Sequence, residues 1–136
     1  MHEELAPFVG EWTVTVPFSD APGRTTFEWT LDGAFLIQRT DVPHPEAPNS
    51  LIVYAFDADA GRYAQHYFDS RGVVRRYEMS LENGVWKLWR DHPGFSQRWA
   101  ASFSDDGRTI SGAWSKSFDG STWEHDFDLT YTRVSA

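Results

Sequence analysis

The side chains able to do chemistry are few, and the five histidines are the most informative of them. His125 stands in WEHDFDLTYTR, Trp123 to Arg133, where every second residue is large and apolar: Trp123, Phe127, Leu129 and Tyr131. That alternation is the mark of a strand with one face on a core. The imidazole therefore occupies a place in the stripe expected to face inward. Histidine titrates near neutral pH and ligates metals through its neutral nitrogen. In that place it is either a core residue satisfied by neighbours, or a ligand contact, a proton shuttle or an axial metal ligand. His66, in RYAQHYFD, has the same two readings, although both parities of its segment carry large apolar residues. His44 and His92 lie in proline-containing turns and are expected in solvent, and His2 is terminal.

Other chemistries lack their patterns. There is no cysteine, hence no disulfide, thiolate site or thiol nucleophile. No HxH or HExxH spacing marks a zinc site, no GxSxG elbow marks a serine hydrolase, and the glycines form no phosphate cradle. In Glu124-His125-Asp126 the two acids alternate with the histidine and fall on the opposite face of a strand. No metal is expected, and no cofactor follows from these residue types.

Composition narrows the partners. The formal charge of −8 disfavours binding to phosphate backbones. MHEELAPFVGEW carries acids where a secretion signal needs a basic start and a long apolar run, and no segment has the ~20 apolar residues of a membrane helix. The expectation is a cytoplasmic protein, monomer or homodimer, with a small molecule as partner and neither nucleic acid nor membrane. Aromatic residues make up 16% of the chain, with 7 Trp, 10 Phe and 5 Tyr. They suit both pleated sheets and the walls of small-molecule cavities.

The elements that must position these residues are strands. Turn signals recur at Asp32-Gly33, Asp57 to Gly61, Asp69 to Gly72, Glu82-Asn83-Gly84, Asp91 to Gly94, Asp105-Asp106-Gly107 and Asp119-Gly120. Between them lie runs rich in Val, Thr, Tyr, Phe and Trp. The predicted strands cover about 11–17, 24–31, 34–41, 50–57, 62–69, 73–82, 85–91, 95–104, 109–117 and 122–134. Tight connections make neighbours antiparallel, and so many twisted strands remove their edges by closing on themselves. The expected fold is all-β: a closed antiparallel up-and-down β-barrel of about ten strands in a single domain over 1–136. A short helix within Glu3 to Val9 plugs one end, and Phe18–Gly23 and the proline-rich VPHPEAPN loop, Val42 to Asn49, help form a mouth.

Alternation assigns the lining. Trp12, Val14 and Val16 face inward, as do Phe27, Trp29 and Leu31. Arg75 follows Tyr77 and Met79, and Gln97 follows Trp99 and Phe103. Trp114 goes in with Ile110, and His125 with Phe127. The candidate ligand-binding residues are thus Phe27, Trp29, Trp99, Trp114 and Phe127 as apolar wall, with Arg75, Gln97, His125 and His66 for the polar end. Buried polar groups need partners, so a lining that includes Arg and Gln implies water or a polar ligand inside. A single bulge would invert every assignment beyond it.

Two segments carry a family resemblance. FVGEWTV resembles the Gly-x-Trp opening of calycin barrels, the lipocalin and fatty-acid-binding group, which implies that Trp12 packs at the closed end and that Arg133 of the last strand lies across it. The stretches YAQHYFDSRGVVRRYEMS and GFSQRWAASFSDDGRTISGAWSKSFDGSTWEHDFDLTYTR resemble a bacterial lipocalin-like domain of unknown function, over almost the whole chain. More distantly, the chain resembles nitrobindins, ten-stranded calycin barrels that bind haem through a histidine of the last strand. Nitrobindins open with a longer glycine-rich repeat where this chain has Trp12-Thr13-Val14-Thr15-Val16.

The leading expectation is a binding protein that holds a hydrophobic or amphipathic molecule in an aromatic-lined cavity. The alternatives are a nitrobindin-like haem protein handling nitric oxide or peroxynitrite with His125 as axial ligand, a cofactor-free isomerase or cyclase using an interior histidine, and a filled barrel with no ligand.

Overall fold

The computed structural model describes residues 2–43 and 48–134. His44 and part of the proline-rich loop lie outside them. Ten strands form in chain order: β1 (Gly10–Thr15), β2 (Gly23–Thr30), β3 (Phe35–Asp41), β4 (Ser50–Asp57), β5 (Arg62–Asp69), β6 (Val74–Glu82), β7 (Val85–Arg90), β8 (Ser96–Phe103), β9 (Thr109–Ser117) and β10 (Glu124–Arg133). Each pairs antiparallel with its sequence neighbour, and β1 pairs with β10 to close the barrel. The sequence reading placed every strand to within two residues at either end. Its regularity comes from turns such as Asn83-Gly84, where both residues adopt positive φ, as a two-residue hairpin demands.

One end is plugged. Glu3–Phe8 forms a single 3-10 helix, with Pro7 inside it, that buries Leu5 and Phe8. The Phe8 ring packs against Phe27 at 5.2 Å, Trp86 at 4.8 Å and Phe103 at 5.2 Å. The Trp12 indole N–H donates to the Phe8 carbonyl at 2.8 Å, tying the first strand to the plug. Arg133 lies over the Trp12 ring at 4.1 Å and donates to the carbonyls of Pro7 and Val9 at 2.6 and 2.8 Å. It therefore satisfies carbonyls that the end of the helix leaves without intrahelical donors. Gly10 sits directly beneath, with φ of 130°. A Cβ there would lie 2.7 Å from the guanidinium, so both conformation and space require glycine.

The opposite end is open. The loops after β1, β3, β5, β7 and β9 gather there, because a meander sends alternate connections to alternate ends. Between the two ends the core is aromatic, with Trp86, Trp99, Tyr54 and Tyr131 buried among Leu36, Met79, Leu88 and Ile110. At Gly112 an added Cβ would meet Trp99 and Ala101 at 2.6 Å, so the glycine gives the indole room to lie against β9.

Candidate functional site

The inner face beneath the open end lines a cavity of about 340 Å³. This is at the small end of the ~300–1,000 Å³ typical of ligand pockets. Its walls are Val14, Val16, Ile52, Leu88, Leu129 and Phe127, with the rings of Trp86, Trp99, Trp114, Tyr67, Tyr77 and Tyr131. Phe18 and Val42, together with Pro48 and Arg71, stand nearer the mouth.

Polar groups enter this lining in three sets. Deepest is a network around Gln38, which is 1% exposed. Tyr54 donates to Gln38 Oε1 at 2.7 Å, Gln38 Nε2 donates to Thr25 at 3.0 Å, and Gln65 donates to the Tyr54 hydroxyl at 3.0 Å. Burial holds the Tyr54 phenol well above its ordinary pKa and pushes that of Tyr131 up to about 12, so both are neutral, and the Tyr131 hydroxyl accepts from Gln38 Nε2 at 3.4 Å. A second set lies higher on the opposite wall. Tyr77 donates to Gln97 Oε1 at 2.7 Å, and Arg75 Nη1 donates to the same oxygen at 3.3 Å. The Arg75 guanidinium also stands 5.5 Å from the Phe95 ring centroid. The third set is the β5–β6 turn, where Asp69 accepts from Tyr67 at 2.8 Å and from Arg71 at 2.6 Å. The Arg71 hydrogen bonds hold the Asp69 carboxyl well below the usual carboxylate range, against a smaller opposing effect of burial. Two buried donors, the indole N–H groups of Trp86 and Trp99, have no acceptor among the described residues. The two rings meet edge to face at 5.5 Å.

Of the residues singled out from sequence, Arg75, Gln97, Trp99, Trp114 and Phe127 line this cavity. The other four do not. Phe27 faces inward but lies under the plug against Phe8, at the closed end. Trp29 has the same parity, yet it ends β2 at the closed rim and is 37% exposed. His66 points outward, because Tyr63, Gln65 and Tyr67 are the inward set of β5. His125 is also outside. A bulge between His125 and Phe127 adds Asp126 opposite no partner, so His125 pairs with Ser115 and Phe127 with Trp114. Its ring is exposed and bonds to Asp128 at 2.8 Å. Trp123, on the far side of the same bulge, is likewise outside, under the Arg98 guanidinium at 4.0 Å.

These positions correct two expectations. An axial imidazole from His125 does not fit, since the ring is on the wrong face of β10, and no described histidine lines the cavity. The donors present there are phenols, carboxamides, indoles, guanidinium and the hydroxyls of Thr40 and Ser50. Proton transfer by an interior His66 or His125 fails for the same geometric reason. The sequence reading also missed Gln38, Gln65 and Tyr67. For Gln38 a signal existed: Arg39 is poised to pair with Glu28 across β2–β3, which turns Arg39 out and Gln38 in.

Comparison with known proteins bears on the fold alone. The chain is similar to the crystal structure of Rv2717c from M. tuberculosis, with a TM-score of 0.63 at 12% identity over 98% of this chain and 96% of that one. No protein-family model matches the chain, and no curated protein matches it by sequence.

Proposed function

We propose that the protein binds a small hydrophobic or amphipathic molecule inside the barrel. The observation that carries this reading is the cavity itself: about 340 Å³, walled by aromatic and aliphatic side chains, with a few converging polar groups and an open end. Arg75 and Gln97 face into this space among rings that touch one another along the wall, Trp99 with Trp114 and Trp114 with Tyr77. The half-buried Arg75 guanidinium has a neutral oxygen and a ring face as partners, and a polar ligand in the cavity would add an acceptor for its remaining donors.

The test is a fluorescence titration with the neutral probe N-phenyl-1-naphthylamine. Emission should saturate at one equivalent per chain. Leu129→Trp, which fills the cavity from β10, should abolish the signal while circular dichroism stays that of the parent. A signal that never saturates, or one equal in the filled variant, would overturn the proposal.

A further inference from the structure

The chemistry of the ligand's polar end follows from which hydrogen-bonding capacity the cavity leaves unused. Every charged side chain among its described lining residues is basic: Arg71 and Arg75 are present, and no Asp or Glu is. This stands against a chain whose net charge is −8. The arginines elsewhere on the sheet mostly hold carboxylates: Arg24 with Glu11, Arg39 with Glu28, Arg62 with Glu78, and Arg76 with Asp57 and Glu78. Arg71 is likewise engaged, by Asp69. Arg75 makes no such pair among the described residues. Its contacts are neutral groups: the Gln97 oxygen, the Phe95 ring and the Tyr77 hydroxyl. Arg90, outside the cavity lining, faces Gln97 directly across the β7–β8 ladder and donates to the Phe95 carbonyl at 3.2 Å.

Gln97 completes the pattern. Guanidinium cannot accept a hydrogen bond, so the Arg75 contact fixes the carboxamide with its oxygen toward Arg75 and Tyr77. The Gln97 amide NH2 is left to the cavity. The unused capacity that Arg75 and Gln97 turn to the cavity is therefore all donor, and the arginine is cationic. A neutral alcohol or amine would leave these donors short of acceptors. A carboxylate supplies acceptor lone pairs and charge together, in the planar form that guanidinium binds well. Below these groups lie flat apolar surfaces: Trp114 packs on Trp99 at 5.4 Å and on Tyr77 at 5.5 Å.

We infer that the ligand is an organic acid with an aromatic body, its carboxylate held by Arg75 and Gln97 with Arg90 beside them, and its ring lying among Trp99, Trp114 and Phe127. This rests on the binding reading above and specifies it.

The experiment compares 2-naphthoate with 2-naphthalenemethanol, which share the ring and differ in the head, by calorimetry at pH 7. The acid should bind the native chain at least tenfold more tightly than the alcohol. Arg75→Met, which keeps the stem and removes the charge, should lower the affinity for the acid at least tenfold. It should leave the affinity for the alcohol within about twofold, which also reports that the barrel is intact. Arg75→Lys should recover part of the loss. Equal affinities of acid and alcohol for the native chain would overturn the inference and leave the binding reading standing. So would an affinity for the acid unchanged by Arg75→Met. Binding of neither compound, together with failure of the neutral probe, would remove both.

Discussion

At the scale of single residues, Asp69 shows how a surface turn is bound to the cavity wall. Its carboxylate takes hydrogen bonds from Tyr67, from the Arg71 side chain, and from the backbone amides of Arg71 and Val73. It thereby holds one lining ring and one rim cation in place. The folded state depresses its pKa below that of the unfolded chain. The stabilisation is then fully present above the unfolded value of ~3.9 and is lost as pH falls through the lower, folded value. Asp69→Asn should accordingly be less stable than the native chain at pH 7, and the two should converge in acid. Urea midpoints measured from pH 7 to pH 2 check this; a gap that stays constant across the range would contradict it. Tyr67 would also lose its acceptor oxygen, so probe binding should weaken in the same variant.

At the scale of elements, the bulge in β10 decides what the last strand offers the interior. Period-2 alternation is a reliable guide only while the ladder is regular. One extra residue at Asp126 rotates Trp123 and His125 to the outer face while Phe127, Leu129 and Tyr131 stay in. Nothing in Trp123 to Arg133 announces the bulge, because acids flank the histidine on both sides and either register leaves a plausible stripe. His125→Ala removes an exposed pair with Asp128, both side chains more than half accessible. Stability should change by no more than ~0.5 kcal/mol, and affinity for N-phenyl-1-naphthylamine should stay at the native value. A tenfold loss of affinity would place the imidazole at the site after all. In β5 the difficulty is of another kind: Tyr63, Gln65 and Tyr67 compete with Ala64, His66 and Phe68, and both sets are apolar enough to be core. Pairing of β5 with β4 and β6 settled the matter, since Gln65 stands opposite Tyr54 and Tyr77, both buried inside the barrel.

For the molecule as a whole, closure is the central event. β1 and β10 lie at the two ends of the chain and meet through Trp12↔Arg133, Thr13↔Thr132, Val14↔Tyr131 and Thr15↔Thr130. This seam brings together residues far apart in sequence, which makes it entropically late to form. Arg133 reinforces it by joining β10 to the Trp12 ring and to the helix carbonyls. Arg133→Gln keeps a polar side chain but cannot span those partners, and charged hydrogen bonds of this kind contribute roughly 1.5–3 kcal/mol. Tm should fall by about 5–10 °C, and hydrogen exchange should accelerate first at the amides of β1 and β10. Uniform acceleration over all ten strands would show that the seam is no weaker than the rest.

The sequence by itself determined the strand count, the turn positions, the antiparallel meander, its closure and the plug, whereas the packing of Arg133 across Trp12 was expected only from the resemblance of FVGEWTV to calycin openings. These follow from local causes: alternation, turn chemistry, and the need to remove sheet edges. It also placed Gln97, Trp99, Trp114 and Phe127 inside, where one parity is the better core, and Arg75 with them on a strand whose parity is less clear. Only the tertiary structure decided the rest. Depth along the barrel separates Phe27 and Trp29 at the closed end from the cavity, and parity carries no information about depth. A bulge put His125 outside, and neighbouring strands turned His66 out and Gln65 in. The site is thus a matter of height and register, both set by contacts between strands rather than within them.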